Sequence, residues 1–129
     1  MKKKRTILVA ALTFMLFSSV VAMAAAKNQT YSYGSNINAS VHGFISFVEG
    51  PLVMRDKVYY NAAITGAQRS KCTVAYSVIV DNSVVAYGVL DKNKYSVSVS
   101  DKAVGYGHEY AKLQLKFNGK TKILTSYAD

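Results

Sequence analysis

From residue 27 onward, Val, Ile, Thr, Tyr and Phe alternate with polar residues in short blocks, and turn-forming residues separate one block from the next. This is the two-residue period of half-buried strands, and no stretch shows the spacing of an amphipathic helix. The blocks fall at 29–34, 39–48, 58–65, 72–80, 83–90, 94–100, 109–116 and 120–127. So many short strands in one short chain predict an all-β fold, a sandwich or a small barrel, and the expected form is a small antiparallel β-sandwich of about 7–8 strands, immunoglobulin-like in size.

Two hairpins can be drawn residue by residue. Asp81-Asn82 suits a two-residue turn because both residue types tolerate positive φ. That register pairs Val74 with Val89, Tyr76 with Tyr87 and Val78 with Val85, and it predicts a bulky core face containing Tyr87 and Val89. The opposite face is small but scarcely polar, so this hairpin is expected to be central, with its outer face covered or used in a contact. The second hairpin turns at Asn118-Gly119. A two-residue loop there would mix Leu113, Leu115 and Phe117 with Lys120 and Lys122 on one face. A three-residue loop, Phe117-Asn118-Gly119, avoids that mixture and is the expected register. It gathers Lys112, Lys116, Lys120 and Lys122 on one face, and makes Lys116 face Lys120.

The first 26 residues follow another logic. Lys2, Lys3, Lys4 and Arg5 precede an uncharged run through Ala26 that ends in small residues. This is the order of a secretory signal peptide, with cleavage expected after Ala24 or Ala26. Residues 27–129 then form one β-sandwich domain, secreted and extracellular. The alternative is an uncleaved anchor, since the apolar run is about long enough to span a bilayer. Ser18 and Ser19 interrupt the run and favour cleavage.

Charge then has to be counted again. The whole chain has a formal charge of +9, but four of its sixteen basic residues lie in the leader. What remains points to a local rather than a global basic surface. The lysine face is the main binding candidate, for an anionic cell-wall polymer, a glycan or a membrane surface. Its competing explanation is a solvated face that discourages edge pairing. Nucleic acid is a poor partner, because only Arg55 and Arg69 follow the leader. Ten tyrosines without a tryptophan add a second candidate, stacking on sugar rings, at Tyr59, Tyr60, Tyr106 and His108. The other tyrosines are read as strand residues.

No catalytic constellation is legible. The single Cys72 cannot form an internal disulfide or a multi-thiolate metal site, and it reads as a small buried hydrophobe. Nothing in the spacing ties His42 or His108 to it. His108-Glu109 lacks a second histidine for zinc, and Asp91-Lys92-Asn93-Lys94 puts cations where a calcium loop needs acids. No catalytic residue, metal or cofactor is therefore expected. The sequons at Asn28 and Asn38 are read as coincidence. The chain has the general look of small exported Gram-positive proteins. An immunoglobulin-like topology is compatible with its length, although it lacks the cysteine pair and tryptophan of those domains. The expected function is non-enzymatic binding to an anionic or glycan component of a cell surface. The alternative is a secreted, bacteriocin-like antagonist of neighbouring cells; oligomeric state is not legible.

Overall fold

The computed structural model describes residues 26–51 and 53–128; all of the expected leader, residues 1–26, except Ala26 lies outside the described residues. The strands are β1 (Lys27–Gly34), β2 (Ile37–Val48), β3 (Asp56–Thr65), β4 (Val74–Val80), β5 (Ser83–Leu90), β6 (Ser96–Gly105), β7 (Tyr110–Phe117) and β8 (Lys120–Tyr127). They form two antiparallel four-stranded sheets, ordered β1-β2-β3-β6 and β5-β4-β7-β8. The protein is a small all-β sandwich.

The first three strands meander within one sheet, and β4 and β5 then form a hairpin in the other. The chain returns to place β6 against β3 and crosses again to place β7 against β4. This connectivity differs from that of a constant-type immunoglobulin domain, where the first, second, fifth and fourth strands share a sheet. The core is built where alternate residues of both sheets meet. Val41, Ile45, Val58, Ala62 and Ile64 of one layer face Val74, Val78, Leu113 and Leu115 of the other, all of them buried. At Gly43 the layers approach closely: a Cβ there would lie 2.9 Å from Leu115 and 3.2 Å from Leu113. A buried bond also crosses between the sheets, from the Phe47 amide to Ser126 Oγ, at 2.9 Å.

Both registers drawn from the sequence are corrected. Asp81 and Asn82 do form a two-residue turn with positive φ (44° and 75°), as expected. A bulge immediately follows, however, and shifts β5 by one residue relative to β4. Tyr76 therefore faces Gly88, Val78 faces Ala86 and Val74 faces Leu90. Leu90 is buried, whereas Tyr87 and Val89 point outward and are exposed. The physical reason is the fit of Tyr76: its ring lies where a Gly88 side chain would be, with the hydroxyl 2.7 Å from the position of a Cβ. The hairpin is also not central, because β5 is an edge strand.

At the second hairpin Phe117 pairs with Lys120, so the loop is the two-residue Asn118-Gly119 turn (φ 50° and 74°) and not a three-residue loop. Lys120 and Lys122 consequently share the inner side with Phe117 and Leu115, the mixture the sequence argued against. They are accommodated because lysine is amphipathic: the stem lies over apolar surface while the ammonium reaches the rim. Lys120 Nζ sits 5.7 Å from the Phe117 ring centre, and Lys122 Nζ sits 5.5 Å from that of Tyr31. The Asn118 side-chain amide donates to the Tyr33 carbonyl at 3.0 Å and ties this turn to β1.

Candidate functional site

The shifted register divides the expected lysine surface. Lys112 and Lys116 stand on the outer face of the second sheet beside Gln114, while Lys120 and Lys122 cover the open edge between β8 and β1. The four lysines therefore do not form one face. Tyr59 and Tyr60 are also separated. Adjacent residues of β3 point to opposite sides, and Tyr60 is buried 6.4 Å from the Tyr76 ring while Tyr59 is half-buried on the outer side.

The Tyr106 loop is where chemistry gathers. Strand β6 runs on through residues 101–105, beyond the expected end, and two bulges interrupt its pairing with β3. The bulges place Lys102 opposite the buried Val58, on the side that faces β5, and leave Gly105 opposite Asp56. Arg55, from the β2–β3 connection, carries its guanidinium 6.0 Å from the centre of the Tyr106 ring. Arg55, Lys102, Val104, Gly105, Tyr106 and Val85 line an open groove of about 510 Å³. Tyr106 is exposed at its mouth.

Two carboxylates hold the loop that carries this ring. Asp56, only 2% exposed, accepts the Gly50 amide at 3.0 Å and the His108 amide at 2.9 Å, joining the β2–β3 connection to the Tyr106 loop. Asp81, at the hairpin turn, accepts the amides of Glu109 and Tyr110 and faces His108 Nδ1 at 3.1 Å. Burial acts to raise the Asp81 pKa, but the Glu109 amide, the His108 ring and the Tyr110 amide together hold it below the usual carboxylate range. The other ring nitrogen of His108 lies 3.0 Å from the Val104 carbonyl. Gly105 permits this approach, since it adopts φ +111° and its missing Cβ would sit 3.1 Å from His108 Nε2. His108, expected at the binding surface, is thus a brace behind it.

The sequence pointed to Tyr106 and His108 and missed Arg55 and Lys102. Lys102 lies beyond the expected strand end at Ser100, and only the bulges turn it toward Val85. No local pattern marks Arg55, which comes near Tyr106 solely through tertiary pairing.

The other candidates have structural partners. Cys72 is buried, its thiol points to the Gln68 carbonyl at 3.6 Å, and burial pushes its pKa up. His42 lies between Thr30 Oγ1 (2.7 Å) and Thr65 Oγ1 (2.9 Å), and burial pushes its pKa down. The molecule thus belongs to the class of two-layer antiparallel sandwiches, and an open groove among its described residues combines two cations and a tyrosine. No protein-family model matches the chain, and no curated protein or solved structure matches it significantly.

Proposed function

We propose that this chain is an exported, non-enzymatic binding protein that takes an anionic glycan of a cell surface into the Arg55–Lys102–Tyr106 groove. The observation that carries the reading is the convergence of two cations and an exposed ring on one open concavity. A guanidinium and an ammonium pair with carboxylate or phosphate substituents, and an aromatic face packs on the apolar face of a sugar ring. Bracing of the loop by Asp56, Asp81 and His108 supports it further, because a ring held before binding loses less freedom on binding. Lys112 and Lys116 add long-range attraction without shaping the groove.

The test is retention of the purified protein on immobilised polygalacturonate and on neutral dextran, at low and high salt. Salt-sensitive retention on the charged polymer alone is expected. Arg55→Ala, Lys102→Ala and Tyr106→Ala should each weaken it about tenfold, the loss of one good charge-assisted or stacking contact. Lys116→Ala should change it little. Equal retention of all variants would overturn the groove reading. Dye release from anionic liposomes would replace it with the membrane-active antagonist.

A further inference from the structure

We propose that His108 is a pH switch on the groove: its imidazolium pins the wall formed by Val104, Gly105 and Tyr106, and loss of one proton releases that wall. The effect on binding rests on the groove reading, although the switch itself does not. The partners of the ring fix its charge. Nδ1 lies 3.1 Å from an Asp81 carboxylate oxygen, and Nε2 lies 3.0 Å from the Val104 carbonyl oxygen. Neither partner can donate, so both bonds exist only when both ring nitrogens carry a proton. His42 is the contrast within the same molecule. Its nitrogens meet the hydroxyls of Thr30 and Thr65, which donate or accept as required, so a neutral ring is satisfied there.

A neutral His108 must give up one of its two bonds. The remaining proton stays toward Asp81, because a hydrogen bond to a carboxylate is stronger than one to a carbonyl. Nε2 then turns a lone pair on the Val104 oxygen. Val104 is the extra residue of a bulge: it falls between the pairs Asp56–Gly105 and Lys57–Ala103 and has no opposite residue on β3. Val104, Gly105 and Tyr106 all line the groove. Gly105 and Gly107 adopt positive φ on either side of Tyr106 (111° and 71°), where glycine turns most freely. The wall therefore loosens once its pin is lost. The far side of the loop stays in place, since Asp56 still accepts the His108 amide and Asp81 still accepts those of Glu109 and Tyr110.

The charged groups around the ring come from each element packed against it. The β4–β5 turn supplies Asp81, β3 supplies Asp56 against the His108 amide, and the residue before β7 is the exposed Glu109. Arg55 and Lys102 lie on the groove side of the loop. Histidine is the side-chain type among these that changes charge between about pH 5 and 8, and sugar carboxylates stay ionised over that range. The wall is held on the acid side of it and released as pH rises. An anionic glycan is therefore gripped more tightly in mild acid.

Nitrogen NMR of the imidazoles, backbone relaxation and polygalacturonate retention, each at about pH 5.5 and about pH 8, test the switch. Both His108 nitrogens should carry protons at the lower pH, and Nε2 should lose its proton at the higher. Backbone order at Val104, Gly105 and Tyr106 should fall with that proton, while Glu109 and Tyr110 keep theirs. Retention should weaken about three- to tenfold, the weight of one hydrogen bond. His108→Gln, which cannot donate from both ends, should show the weaker retention at both pH values, and His42→Gln should leave the pH dependence in place. A neutral His108 at both values with an equally ordered wall would overturn the switch, and this reading of the parent stands even if a variant fails to fold. So would a pH dependence of retention that His108→Gln leaves intact. A wall that loosens with pH in a protein that never retains the polymer overturns the groove reading and supports the switch. Retention by the parent that ignores pH does the reverse.

Discussion

The β4–β5 and β7–β8 hairpins close in the same way and then diverge. Each turns through two residues with positive φ, Asp81-Asn82 in one and Asn118-Gly119 in the other, the geometry that matches the twist of paired strands. In β7–β8 the register runs unbroken from Phe117–Lys120 to Tyr110–Tyr127. In β4–β5 a bulge intervenes after two pairs and exchanges the faces of the rest of the strand. The lesson concerns what chooses a register. Strand β5 is apolar on both faces, so hydrophobicity leaves the choice open, and the seat of Tyr76 on Gly88 together with burial of Leu90 decides it. Strand β8 has lysines on its inner side, and the turn holds the register because those stems can lie on Phe117 and Tyr31.

The largest expected effect tests the slipped face of β5. Leu90→Ala should cost about 2–5 kcal/mol in urea unfolding, as a buried leucine does. Tyr87→Ala and Val89→Ala should each cost under about 0.5 kcal/mol, as exposed positions do. The unbulged register demands the reverse order, so a large loss at Val89 with none at Leu90 would restore it.

The turns should separate next. Asp81→Ala removes a carboxylate that also secures the Glu109 and Tyr110 amides, and should cost about 1–3 kcal/mol. Asn118→Ala should cost about 1 kcal/mol, mainly through the lost bond to Tyr33. Only the first turn should respond to acid. The folded pKa of Asp81 is depressed, so its contribution is present above the unfolded carboxylate pKa and disappears as pH falls through the lower folded value. Asp81→Asn should flatten that limb of the stability profile, and Asn118→Ala should leave it unchanged. A separate loss at higher pH belongs to His42. Its folded pKa is also depressed, so stability declines once pH falls below the unfolded histidine value and on through the folded one.

The smallest difference lies between lysines. Lys122→Ala should cost about 0.5–1 kcal/mol through the uncovered Tyr31 ring, and Lys116→Ala less than about 0.5 kcal/mol. Equal costs would mean that Lys122 does not cover the edge.

Much of the fold was legible because strand signals are local. All eight strands appear near their expected places, and β5 and β8 have the expected ends. Pairing is where local reading failed, since one residue of slip reverses every face and the interactions that oppose slip are tertiary. The lysine face came from rejecting lysine as an inward neighbour of leucine, a judgement that ignores the four-carbon stem. The groove was half legible. Glycines around Tyr106 marked a loop ring, but its two cations arrive from an irregular connection and a twice-bulged strand.

The single thiol offers a chemical clock. Cys72 is sealed at the start of the segment leading into β4, with its ionisation suppressed by burial. An alkylating reagent can therefore react only when that part of the sandwich opens. The labelling rate then reads the free energy of opening at one known seam, without an engineered probe.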